Sequence, residues 1–108
     1  MIKAITNFTN KRVLFVVTSD LSHYHNYVDA KNLDETLISD LKKMDPNLLY
    51  GDIKDKKCEA CCYGGLITGI MLAKNLGSGE AAIIKYMDSG EVTGDRRRVV
   101  GYLSAALY

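Results

Sequence analysis

The chain is 108 residues long, with 47% apolar and 25% charged residues and a formal charge of +1. Such a length suits one domain or part of one, and the near-zero charge gives no electrostatic reason to expect nucleic acid or an anionic membrane as partner. The opening MIKAITNFTNKR lacks the apolar core of a signal peptide and no apolar stretch approaches a membrane span, so a cytoplasmic location is the default expectation.

Ile2, Ile5 and Phe8 recur every three positions, as in the tail of a helix. VLFVV at 13–17 is short, β-branched and apolar on both faces, which predicts a buried strand in a parallel or mixed sheet. Ala30, Leu33, Leu37, Leu41 and Met44 then follow at three- and four-residue spacing, the pattern of an amphipathic helix over 29–44. Asp45-Pro46 reads as a cap followed by proline in the first turn of a short second helix. CYGGLITGIMLAKNLG is a third helix, with Gly77 placed to end it in a left-handed conformation. AAIIKYM and VVGYLSAAL predict two further strands joined by the polar loop DSGEVTGDRRR.

This order predicts an α/β layered sandwich with a mixed sheet. A first strand apolar on both faces needs cover on both sides, and a sheet this small keeps unpaired edges. The sequence therefore reads as a single partial domain, residues 1–108, that awaits a complementary N-terminal half or self-association.

Ligands in open α/β sheets gather beyond the carboxyl ends of strands. Ser19, Asp20, Ser22 and His23 hold that position after 13–17. Asp20 and His23, three apart, are spaced for a carboxylate to orient an imidazole and raise its basicity, which makes them the candidate catalytic pair. The ordinary alternative is a helix cap beside a half-buried histidine, and His25 reads as a surface residue.

Cys58, Cys61 and Cys62 all lie within five residues, and an odd, clustered count argues against a disulfide framework. A lone C-x-x-C is a weak metal signal, because a closed zinc site needs a second pair of ligands. A thioredoxin-like dithiol is weaker still, since DIKDKK is no strand. The plain reading puts Cys62 in the core and leaves Cys58 incidental. Cys61 sits just before a helix N-terminus, where the dipole favours a thiolate suited to ligate a metal or act as nucleophile. Arg96, Arg97 and Arg98 could hold a small anion or a peptide, although a basic run is more often a wet surface.

VVTSDLSHY, DP..LY, CCYGG and KYMDSGEVTGDRRRVVGYLSAALY, in this order and spacing, resemble the C-terminal part of the Memo family. That family includes the animal mediator of cell motility and the microbial AmmeMemoRadiSam system protein B. The resemblance covers about Arg12 to Tyr108. It implies the C-terminal half of a class III extradiol dioxygenase-like fold, with a metal held by two histidines of the N-terminal part and one cysteine of the C-terminal part. That cysteine maps to Cys61, because CCYGG aligns with C-G-Y-G-P, with Cys62 at the glycine and Gly65 at the proline. The family's pocket aspartate and histidine map to Asp20 and His23, and the implied role of His23 is acid/base.

Members of that family are considerably longer than this chain. The expected cofactor is therefore iron or copper, held only when histidines from outside the chain complete the site. The resulting expectation is a metal-dependent redox or dioxygenase-like role, and whether the chain is an enzyme is left open. A non-catalytic module binding a peptide or small anion is the alternative, and a Cys61–His23 hydrolase is a third.

Overall fold

A computed structural model describes residues 13–108; the helix expected over 2–8 lies outside them. The described residues form an α/β arrangement with strand β1 (His23–His25), helices α1 (Tyr27–Lys43), α2 (Pro46–Lys54) and α3 (Tyr63–Asn75), strand β2 (Ala81–Asp88), a single helical turn α4 (Gly90–Thr93) and strand β3 (Val99–Leu107).

Each helix begins and ends for local reasons. The Asn26 side chain accepts hydrogen bonds from the Val28 and Asp29 amides at 3.1 Å each, satisfying donors that the first turn of α1 leaves open. Its buried face is Ala30, Asp34, Leu37, Asp40 and Leu41, and the left-handed Met44 ends it. Asp45 caps α2 by accepting from Asn47 and Leu48, with Pro46 in the first turn. Helix α3 closes in a Schellman motif: the Gly77 amide donates to Lys74 and the Ser78 amide to Ala73, with Gly77 at φ +93°.

The sheet has the order β1-β3-β2 and both pairings are antiparallel. β2 and β3 pair from Ala81–Leu107 to Asp88–Gly101 with an irregularity between Ile83 and Lys85. Val99 and Gly101 are buried and Leu103 packs on the helical core, whereas Tyr102 and Ser104 are exposed, so the helices cover one face of the sheet. The core joins Leu37 and Leu41 of α1 to Leu49 of α2, Ile70 of α3, Leu21, Met44 and Cys58.

Three expectations are corrected. Residues 13–17 belong to no strand and are exposed throughout, Leu14 at 86% and Val16 at 73%. Composition marks a run as strand-forming, but a strand exists only against a neighbour, and none pairs with this run among the described residues. The sheet is consequently antiparallel rather than mixed, because the parallel component was expected from this run. The loop expected after β2 also folds one turn, α4, closed by Gly94 at φ +79°.

Candidate metal-binding site

The loop from Ser19 to His23 is held from both sides. The Leu21 amide donates to the Gly101 carbonyl and the Gly101 amide to the Ser22 carbonyl, which fastens the loop along β3. Beneath it the buried Asp34 carboxylate accepts from the Ser22 amide at 3.0 Å and from the Tyr86 hydroxyl at 2.7 Å. Burial pushes the Asp34 pKa up, against the lowering effect of these hydrogen bonds. The same burial, followed by the Asp34 contact, pushes the Tyr86 phenol far above its usual range.

On the other side of the loop stands the cysteine segment. The Cys61 amide donates to the Asp20 carbonyl, the Asp20 amide donates to Cys61 Sγ at 3.3 Å, and the Cys62 amide donates to Ser19 Oγ at 3.0 Å. Ser19 Oγ also lies 3.6 Å from Cys61 Sγ. Glu59 provides a further clamp, accepting from the His23 amide through one oxygen while the other lies 2.9 Å from His25 Nε2. Between the two histidines Tyr24 adopts φ +62°, an uncommon conformation for a side chain this large.

Asp20, His23 and Cys61 are thereby brought together, their ligand atoms all within 4.8 Å of one another. Asp20 Oδ2 lies 3.6 Å from His23 Nε2, which is too long for a hydrogen bond. Bonds of about 2.0–2.3 Å to a shared ion place neighbouring ligand atoms about 3.5 Å apart, the separation found for the carboxylate and imidazole, so the three side chains form a possible metal-ligand group. The two side chains are partly exposed, at 51% and 35%, leaving the cluster open to solvent.

The other cysteines reverse their expected roles. Cys58 is the core residue, its thiol pushed up to about 12 by burial and by nearby carboxylates led by Asp40, while Cys62 is exposed. His25, expected at the surface, is half-buried against Glu59. Sequence reasoning missed Glu59 and Asp34. Glu59 carries a faint signal, an acid inside C-x-x-C; Asp34 has one too, an acid on the apolar face of α1.

Of the three arginines, Arg97 is tied to Asp95 at 2.8 Å, and this partnership holds the Asp95 carboxyl well below the usual carboxylate range. Arg96 instead lies over the Tyr27 ring at 5.1 Å and Arg98 over Tyr24 at 5.2 Å. No helix of the described residues is long and apolar enough to cross a membrane.

The family model described as Memo-like protein matches residues 1–106. A MEMO1 family protein from Methanocaldococcus jannaschii is 36% identical over 104 residues, 96% of this chain and 36% of the relative. One from Thermotoga sp. is 38% identical over 96 residues, covering 89% of this chain and 33% of the relative. A third, from Saccharolobus solfataricus, is 33% identical over 103 residues, 95% of this chain and 36% of the relative. The chain thus spans about a third of the length of the curated relatives it matches. No solved structure matches at a significant level.

Proposed function

Since the chain belongs to the Memo-like protein family, we propose that Asp20, His23 and Cys61 are its contribution to a metal-binding pocket whose remaining ligands come from outside the described residues. The observation that carries this reading is the spacing of the three donors around one point, with the 3.6 Å carboxylate–imidazole separation matching two ligands on an ion. A thiolate beside an imidazole and a single carboxylate is a soft-to-intermediate donor set, suited to iron, copper or zinc rather than magnesium. When bound, iron or copper would supply one-electron redox chemistry of the kind that a dioxygenase-like role requires.

The protein's own residues have distinct tasks in this reading. Cys61 is the anionic ligand, and the Asp20 amide and Ser19 hydroxyl hold its sulfur in place. Glu59 fixes the backbone of His23, and Asp34 fixes that of Ser22 next to it, so the imidazole is presented from a braced loop. Solvent reaches Asp20 and His23, which leaves room for further ligands.

Titration of the full chain with Co(II), read as a thiolate charge-transfer band, tests the assignment. The band is expected in the parent and in Cys62→Ala, absent in Cys61→Ala, and shifted to about tenfold higher metal concentration or more in His23→Ala. An unchanged band in Cys61→Ala overturns it. The ring-nitrogen shifts of His23 on Zn(II) addition separate ligation from an acid/base role: a ligating nitrogen moves, and a proton-exchanging one merely changes its titration.

A second reading is supported by the arginine stacks. Among the described residues neither Arg96 nor Arg98 has an ion-pair partner, and each is spread over a tyrosine, Arg98 over the Tyr24 ring that neighbours His23. A non-catalytic site for a small anion or an acidic peptide would use these two guanidinium groups. Anion binding by a metal-free protein, lost in Arg98→Ala and retained in Cys61→Ala, is the result that favours it.

A further inference from the structure

We propose that Asp40 of α1 and Asp52 of α2 form a carboxyl pair that holds the two helices together by sharing one proton, and that the contact loosens when the proton leaves. The pair has no residue in common with the Asp20, His23 and Cys61 cluster, so the inference stands whether or not that cluster binds metal.

Asp40 is an acid on an apolar stripe. It shares the buried face of α1 with Ala30, Asp34, Leu37 and Leu41, and its side chain is 3% exposed. Asp34, the other acid of that face, accepts from the Ser22 amide and the Tyr86 hydroxyl. Asp40 has no such donors among the described residues. Its Oδ2 is enclosed and without a hydrogen-bond partner, and its Oδ1 lies 3.9 Å from Lys43 Nζ, beyond hydrogen-bond reach. An ionised carboxylate buried without donors is strongly disfavoured, and the usual remedy is a proton.

The group that faces Asp40 from α2 is the carboxyl of Asp52, in the groove that both residues line. Ionised carboxylates only accept, so two of them can bond to each other only through a proton. The surrounding charges favour one proton over two. Lys57, just beyond α2, donates its amide to the Asp52 carbonyl at 2.8 Å, and its Nζ lies 3.2 Å from Asp52 Oδ1, which keeps Asp52 the ionised member. Lys43, on α1 itself, is largely exposed and acts on Asp40 through solvent. Glu35 lines the same groove, and the buried Cys58 thiol feels both carboxylates.

Burial first, then the charge and hydrogen bond of Asp52, raise the Asp40 pKa, and Lys43 and Lys57 oppose the rise. The pair's contribution to stability is therefore complete below the ordinary aspartate value of about 3.9 and is lost as pH climbs through the folded-state value. A cation fits the pair less well than a proton does. Oδ2 is enclosed, and the two lysines already supply the positive charge that an ion would bring.

Chemical denaturation of the full chain from pH 4 to pH 8, with the Asp40 carboxyl-carbon shift followed by NMR, tests the pair. Asp40→Asn replaces the neutral acid by an amide that can donate to Asp52 at every pH. Its stability should lie close to the parent's at pH 4, and at pH 8 its unfolding constant should be about fivefold smaller or less. In the parent the Asp40 carbon should titrate above the ordinary aspartate range. Asp52→Asn, which offers a donor in place of the second charge, should move that titration down by about half a pH unit or more. A stability difference between Asp40→Asn and the parent that does not change with pH overturns the proposal. So does an Asp40 titration that Asp52→Asn leaves in place, since burial alone would then be its cause. Stabilisation of the parent but not of Asp40→Asn by millimolar Ca(II) would overturn it too, by making the pair a cation site.

Discussion

Leu37 and Val16 are both aliphatic, yet one is 1% exposed and the other 73%. Leu37 belongs to a packed cluster with Leu41 on the same helix, Leu49 from α2 and Ile70 from α3, with Leu103 of β3 packed against it. The run bearing Val16 rests on α3 through Val17, and among the described residues no strand pairs with it. The difference shows that apolar composition sets what a segment requires, while the rest of the chain determines whether the requirement is met. The helical side is a packed core, and the side bearing 13–17 is a surface with the composition of a core.

The packed side should respond most strongly to mutation. Leu37→Ala should cost about 2–5 kcal/mol, the transfer term plus the cavity left behind. Gly101→Ala should cost about 3 kcal/mol for the opposite reason, overpacking. Its new methyl would overlap the Asp34 carboxylate, which cannot retreat without giving up the Ser22 amide and the Tyr86 hydroxyl. Because that carboxylate braces the loop carrying Asp20 and His23, Gly101→Ala should also weaken Co(II) uptake. Chemical denaturation and metal titration of the same variants check both parts. Retention of parent stability by Gly101→Ala would mean that Asp34 does not occupy this position.

The division between the two sides also explains what could be read in the sequence. Helix α1 was visible in the spacing of Ala30, Leu37 and Leu41, α2 in Asp45-Pro46, and the end of α3 in Gly77, because each signal acts within a few residues. β2 and β3 were visible for the same reason. β1 was not: His-Tyr-His has no apolar alternation, and its place in the sheet depends on β3, some seventy-five residues onward. The roles of Cys58 and Cys62 were exchanged because burial of a cysteine is decided by distant neighbours such as Leu37 and Ile70, not by the residues beside it. Asp20, His23 and Cys61 were each singled out from the chain and the family resemblance, and the structure places them together. The clamps on them, Glu59 and Asp34, act across long sequence separations and left little local trace.

Gly65, at the junction of the two sides, should give a smaller effect whose sign can be reversed. In the first turn of a helix, alanine normally replaces glycine with a gain of up to about 1 kcal/mol. Here the added Cβ would stand 2.5 Å from Cys62 Sγ and 3.2 Å from a Val17 methyl, so Gly65→Ala should instead destabilise by about 1 kcal/mol. Cys62→Ala removes the sulfur, leaving its own Cβ in ordinary contact at 3.9 Å and only the exposed Val17 methyl to give by a few tenths of an ångström. In that background Gly65→Ala should become neutral or stabilising. A double-mutant cycle by denaturant unfolding measures the reversal, and additivity of the two changes would show that the sulfur is free to swing away.

The smallest effect should come from the bare side, where it is the most informative. Val16→Ala removes two methyl groups, as does Ile70→Val followed by a further methyl deletion in the core, but at Val16 those methyls already face water. No transfer free energy is regained by leaving them there and no cavity forms when they go, so the change in stability of the isolated chain should fall within about 0.5 kcal/mol. Alanine has less tendency than valine to remain extended, and this residual effect belongs to the same range. A loss as large as that of Leu37→Ala, measured by thermal unfolding of the monomer, would mean that Val16 is covered within the chain itself. The two sides would then be one core, and the contrast between them would disappear.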